Sequence, residues 1–309
     1  MVSDATQLKS QPNKPKNLLS VSELKVLNTR SNLSGIVRLI GHLSIIAING
    51  YFWLNGTIWS IKIPALIIYG FSLASMFAVV HECTHRTAFA SNPLNDIVAW
   101  WAGVLSGYNS TFYRRYHKWH HRYTRIEGKD PELEDIQPSN LKEYLTEISG
   151  YNWWRGKFIT HYRVCVGNLD NMPYINDGAR KEVINSNRWQ IFVYGMAIAI
   201  SLIFQQPWFI TLWLFPLAVG QPILRFILLA EHTGCSYDDN PLTNTRTTLT
   251  WLPIKFMMWN MPFHAEHHLY PSIPFHALPQ AHQELKEHFA VVEKSYLNAN
   301  QNIISNFQQ

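Results

Sequence analysis

Two apolar segments of this chain run without a break into histidine, and that coupling restricts what the chain can fold into. The stretch 62–80 ends at His81, and the stretch 207–230 ends at Glu231-His232. Each is preceded by another apolar stretch, about 36–58 and about 190–205. At about 1.5 Å of rise per helical residue, roughly twenty residues cross the hydrocarbon core of a bilayer. The four segments are therefore read as two pairs of membrane crossings. The third, about 16 residues long, is short and needs interfacial help from Trp189 or Trp208. Arg225, inside the fourth, must face protein or water and not lipid.

The histidines supply the chemistry. Eight of the 14 fall in three clusters: His81-Glu82-Cys83-Thr84-His85, His117-Lys118-Trp119-His120-His121 and His264-Ala265-Glu266-His267-His268. On a helix, residues i, i+3 and i+4 share a face, so each box aims two or three imidazoles in one direction. Neutral imidazole is the commonest metal ligand, and unrelated surface histidines would not repeat H-x-x-H-H twice in one chain. A catalytic zinc takes three protein ligands and a structural one takes four. Eight histidines, with His232 a ninth, overfill one ion and suit two. The site is not the four-helix carboxylate type, which is built on paired Glu-x-x-His motifs, so the ligand set is nearly all neutral nitrogen. Residue types alone leave iron, zinc and copper open.

Charge gives the orientation. The formal net charge is +5, and 23 of the 26 Lys and Arg residues lie in 1–35, 81–188 and the segment from 231 onward. These are the regions that four crossings would put on one side, which is the positive-inside pattern. All three boxes, being separated by even numbers of crossings, then emerge on the cytoplasmic face. The apolar runs 94–107 and 249–258 must not cross, and both are too short to do so. Nucleic-acid binding would need a basic patch on a suitable fold motif, and neither is present.

The remaining features are secondary. Residues 1–17 read as a polar tail, and Ser20 with Glu23 forms a capping box ahead of a short amphipathic helix at the interface. Cys83, Cys165 and Cys235 have no metal or disulfide spacing. Glu82, Glu231 and Glu266 adjoin candidate ligands, where a carboxylate either orients an imidazole or turns away to solvent or arginine. Asp130, Glu132, Glu134 and Asp135 read as a solvated loop. His42, His161, His276, His282 and His288 lie outside the boxes and read as structural or solvated. Trp100, Trp101, Tyr108, Trp153 and Trp154 read as packing or interfacial residues, with an acyl tunnel as the rival role. The chain carries no Gly-rich dinucleotide fingerprint, no haem loop and no four-cysteine iron–sulfur pattern.

The three-box set, with the flanking strings His81-Glu82-Cys83-Thr84-His85-Arg86-Thr87-Ala88-Phe89, Trp119-His120-His121-Arg122-Tyr123-Thr124 and Asn260-Met261-Pro262-Phe263-His264-Ala265-Glu266-His267-His268, resembles the membrane fatty acid desaturase superfamily. The resemblance covers roughly residues 35–290. It implies an all-α membrane protein: four transmembrane helices and a cytoplasmic helical cap holding a histidine-rich di-iron site. It implies three parts: a cytoplasmic tail over 1–35, a membrane domain over 36–290 and a C-terminal tail over 291–309. By resemblance His81, His85, His117, His120, His121, His264, His267 and His268 are ligands of two iron ions, with His232 matching the family's extra histidine. The implied reaction uses O2 to desaturate a lipid acyl chain, with electrons from a ferredoxin or cytochrome b5 type donor. Hydroxylation or ketolation of an acyl chain, a carotenoid or another apolar substrate is the neighbouring outcome. One departure is Leu228, where stearoyl-CoA desaturases carry an asparagine that contributes through water. The rivals from other classes are a membrane zinc hydrolase of amide-linked lipids, which would leave at least five of these histidines idle, and a metal-binding or transport protein.

Overall fold

Helix Trp59–Thr84 is the axis of the molecule, and every residue in it from Tyr69 to Thr84 is buried. A helix buried on all sides must be enclosed by others. The computed structural model describes residues 18–308, so the polar tail expected over 1–17 lies outside the described residues. In chain order the helices are α1 (Val21–Leu27), α2 (Asn32–Asn55), α3 (Trp59–Thr84), α4 (Asn92–Ser106), α5 (Ser110–Tyr123), α6 (Leu141–Ile148), α7 (Tyr151–Cys165), α8 (Asp177–Ile203), α9 (Phe215–His232), α10 (Leu252–Met257), α11 (His264–Leu269), α12 (Leu278–Leu285) and α13 (Tyr296–Ser305). A π-helical turn, Ile210–Leu214, leads into α9. The two short strands, β1 (Thr247–Thr248) and β2 (Val292–Glu293), pair in parallel.

Among the described residues, three helices are long and apolar enough to cross a membrane: α2, α3 and the continuous helix Ile210–His232. On α2, Leu33, Ile36, Val37, Ile40 and Ile48 are exposed, while Gly35, His42 and Gly50 are buried. Exposed aliphatic side chains in this number need an apolar solvent. The third expected crossing differs from its reading. α8 starts at Asp177, 13 residues before the apolar stretch, and its first turns carry Asp177, Arg180, Lys181, Glu182 and Arg188. Only its C-terminal half is apolar. The run 94–107 forms α4, of 15 residues, which Gly107 closes in the left-handed conformation (φ 78°).

α3 is held between α2, α4 and α9. Its contact with α9 is made backbone to backbone at two glycines. A Cβ on Gly220 would stand 2.0 Å from the Gly70 carbonyl oxygen, and one on Gly70 would stand 2.2 Å from that of Pro216. Such close approach is how small residues let membrane helices pack. It brings the ends of α3 and α9, and so His81 and His232, to one end of the bundle.

The capping box at α1 is formed: Glu23 N–H donates to Ser20 Oγ at 3.2 Å, and Ser20 N–H donates to Glu23 at 2.6 Å. The segment 291–309, expected as a tail, instead contains β2 and α13. α13 buries Tyr296, Ala299, Asn300 and Ile303. Asn300 Nδ2 donates to the Phe226 carbonyl of α9 at 3.1 Å and Asn300 Oδ1 accepts from Tyr144 Oη at 2.9 Å. All three cysteines are unpaired.

Candidate metal centre

The three boxes converge. His81 closes the last turn of α3 and His85 caps it; His117, His120 and His121 lie along α5; His264, His267 and His268 occupy the six-residue α11. His232 ends α9. The nitrogens fall into two groups whose ligand-capable atoms lie within 4.8 Å of one another. The first is His81, His85, His117, His121 and His267; the second is His120, His232 and His268. His264 joins the second, its Nε2 3.2 Å from that of His232. All nine candidate histidines are thus brought together, five and four.

Their disposition is that of a cation site. Like nitrogens face like: His121 Nε2 and His117 Nε2 are 3.0 Å apart, and His267 Nε2 lies 3.1 Å from His121 Nε2 and 3.2 Å from His85 Nε2. His81 Nε2 and His268 Nε2 are buried with no partner. Lone pairs aimed into a shared space have no mutual satisfaction, and a bound cation supplies it. Protons do not. Burial first, then the neighbouring rings, hold His117, His121, His264, His267 and His268 well below the ordinary imidazole range. Burial, then His120 and Arg114, takes His85 down to about 3. These groups are neutral at physiological pH, as ligation requires.

The second group also has its rear nitrogens fixed. His120 Nδ1 lies 2.9 Å from Asp130 Oδ1, and His232 Nδ1 donates to the Asn244 carbonyl at 3.1 Å. Thr124 Oγ1 donates its own proton to the His120 carbonyl at 2.8 Å, so it accepts from His268 Nδ1 at 3.2 Å. Each contact puts the ring proton on Nδ1 and leaves Nε2 bare, which is how outer partners orient metal-binding imidazoles.

Asp130 is therefore no part of a solvated loop. It is 3 % exposed, and its second oxygen accepts from the Arg125 backbone N–H at 2.8 Å. Glu132 Oε2 also approaches His120, at 3.5 Å. Burial lowers the His120 pKa, but the Glu132 and Asp130 carboxylates outweigh it and the net shift is upward. Burial pushes Glu132 up to about 7. Glu134 and Asp135 are exposed, as expected.

The box glutamates behave otherwise than expected. Glu82 is buried and accepts from the Phe275 backbone N–H at 2.9 Å. Glu266 is fully buried, with His282 Nδ1 2.5 Å from Oε1 and Thr247 Oγ1 donating to Oε2 at 2.5 Å. Neither is hydrogen-bonded to a box histidine. Both tie the third box to its surroundings. Glu231 Oε2 lies 3.5 Å from His264 Nε2, on the bare-nitrogen side. Of the other histidines, His42 is buried between the Ser72 carbonyl (2.9 Å) and Trp259 Nε1 (3.3 Å), and His288 is exposed. Tyr108 and Trp153 are buried beside the site, whereas Trp101 is exposed. Thr124 and Asp130 follow the second box closely with no sign of their partners, and Asn244, 20 residues before the third box, carries no signal in the sequence.

Apolar helices that end in converging histidines define a membrane-associated protein whose histidine clusters are fit to hold metal. The fatty acid desaturase family model matches residues 57–298, and the chain belongs to that family. It is accordingly an integral membrane oxidoreductase of the desaturase type. It is 25 % identical to an sn-1 oleoyl-lipid 12-desaturase of Picosynechococcus sp., over 80 % of this chain and 76 % of the relative. A Delta(5) fatty acid desaturase of Caenorhabditis elegans is 23 % identical over 76 % of this chain, which spans 59 % of that relative's length. A second sn-1 oleoyl-lipid 12-desaturase, from Synechocystis sp., is 25 % identical over 81 % of this chain and 73 % of the relative.

Proposed function

We propose that the chain is a di-iron, O2-dependent desaturase of a lipid acyl chain, supplied with electrons by a separate ferredoxin or cytochrome b5 type protein. The observation that carries this reading is the division of nine histidines into groups of five and four with their lone pairs facing inward. His81, His85, His117, His121 and His267 would hold one iron, and His120, His232, His264 and His268 the other. Iron held there would supply the activation of O2 needed to oxidise an unactivated C–H bond. The residues of the chain orient and shield. Asp130, Asn244 and Thr124 hold three imidazoles in one tautomer, and the buried ends of α3 and α9 keep bulk water away from the reacting carbon. Leu228 stands where stearoyl-CoA desaturases have asparagine. Glu231, three residues on and aimed at His264, is the nearby carboxylate able to complete the second ligand set.

The topology that fits this reading has four crossings. α8 exposes Trp189, Phe192, Met196, Ile200, Leu202 and Ile203, a lipid-facing surface over its apolar half. With α8 and α9 as the second hairpin, the boxes and both termini lie on the cytoplasmic side. The membrane domain would run over 36–290.

The test is a lipid profile. Cells expressing the chain are expected to gain acyl chains with new double bonds or hydroxyl groups, and cells expressing His267→Ala are expected to gain none. Undiminished oxidation by His267→Ala would end the di-iron reading.

A further inference from the structure

The cavity beside the histidines is not built for hydrocarbon alone. It measures about 520 Å³, and its lining runs from the metal-facing rings of His81 and His120 to Lys157 and Arg225. Two aromatic rings bridge the ends. The Phe77 centroid is 6.3 Å from that of His81 and 4.5 Å from that of Tyr108. The Tyr108 phenol then fixes both cations. Lys157 Nζ stands 3.6 Å from its ring centroid, and Arg225 Nη2 donates to its Oη at 3.0 Å.

Neither cation has a direct ion-pair partner. No carboxylate oxygen of the described residues lies within 4.0 Å of either, and Arg225 Nε is buried with no partner. Glu132 and Glu231, each 3.5 Å from a box imidazole, share the lining with Asp135 and Glu147, and none of the four forms an ion pair with Lys157 or Arg225. Half-burying cations without a direct partner is costly, and guanidinium is matched in shape to a planar or tetrahedral oxyanion.

We propose that Lys157 and Arg225 receive an anionic group of the substrate, a carboxylate or a phosphate, while the carbon to be oxidised faces the histidines. The oxidised carbon then lies close to the anionic end of the substrate, within the reach set by Phe77 and Tyr108, and not far along a long chain. The reacting end of this picture rests on the oxidase reading above; the anion end rests on the cavity alone.

The test compares three probes of equal chain length, decanoate, decyl phosphate and uncharged decanol, binding to the detergent-purified full chain by calorimetry. At least one anion is expected to bind about tenfold or more tightly than decanol. The tighter of the two anions identifies the group. Lys157→Met and Arg225→Gln should each reduce that preference, with metal content and melting temperature recorded alongside to verify folding. Equal binding of all three probes by the unaltered chain would overturn the proposal without recourse to any variant. So would a preference that survives in both folded variants. An anion preference in a chain that oxidises no lipid would remove the oxidase reading and leave the anion site standing.

Discussion

His120 and Asp130 are ten residues apart in sequence, and the imidazole Nδ1 sits 2.9 Å from the carboxylate. The same carboxylate accepts from the Arg125 backbone N–H at 2.8 Å, closing the turn that returns the chain to the end of α5. One side chain thus sets both the loop and the ring.

That double role makes Asp130→Asn informative. The amide keeps the size but offers the ring nitrogen a weaker acceptor. Loss of an outer partner of this kind costs about 10–100-fold in metal affinity. Competition with a chelator should show one of two bound irons released more readily, and an unchanged release profile would contradict the role.

Glu266 tests the other buried carboxylate. It holds His282 and Thr247, and through Thr247 Oγ1 also the Ala265 backbone N–H at 3.2 Å. Glu266→Ala strands those partners in the interior, at about 1–3 kcal/mol for each. Thermal unfolding in detergent should show a lowered midpoint even without metal. A stability loss seen only in the metal-loaded protein would argue against a structural role.

What the sequence made legible follows from periodicity. His117, His120 and His121 share a helix face by spacing alone, and an even number of apolar segments between the boxes sets all three at one end of the bundle. The pairings across the chain were not legible. Asp130 sits in an acidic run that reads as solvated, and only the turn after Thr124 brings it under His120. His282 reaches Glu266 because α12 packs on α11, a tertiary fact with no local signal. α8 continues through a charged N-terminal half that hydropathy cannot distinguish from a loop. The C-terminal segment reads as a tail because α13 is polar, yet it buries Tyr296, Ala299 and Ile303 and bonds through Asn300 to α6 and α9.

The helix crossing at Gly70 and Gly220 predicts a contrast. Gly220→Ala drives a methyl into the Gly70 backbone and should separate α3 from α9, with loss of folded protein. Gly195 on α8 has nothing within 4 Å of its Cβ position, so Gly195→Ala should leave yield unchanged or raise stability by up to about 1 kcal/mol. Equal yields of the two variants, by size-exclusion chromatography, would count against this packing.

The anion site predicts a pH dependence. Burial first and Arg225 second bring Lys157 down to about 7, against the pull of Asp135 and Glu132. The neighbouring His161 is held at about 4 by burial and by Lys157 itself, so it stays neutral throughout the range used. Lys157 is charged below pH 7 and neutral above it. Affinity for decanoate should therefore fall between pH 6 and pH 8.5, and Lys157→Arg, which keeps its charge, should flatten that profile. A profile unaltered by Lys157→Arg would assign the dependence elsewhere.

Metal content tests the central claim most directly. Full-length protein expressed in iron-replete cells and purified in detergent should contain about two irons per chain by mass spectrometry, by the ligand count of five and four. His121→Ala, which removes one ligand from the first group only, should lower iron toward one per chain. One zinc and no iron per chain would contradict the di-iron account and leave the histidines to a hydrolytic site.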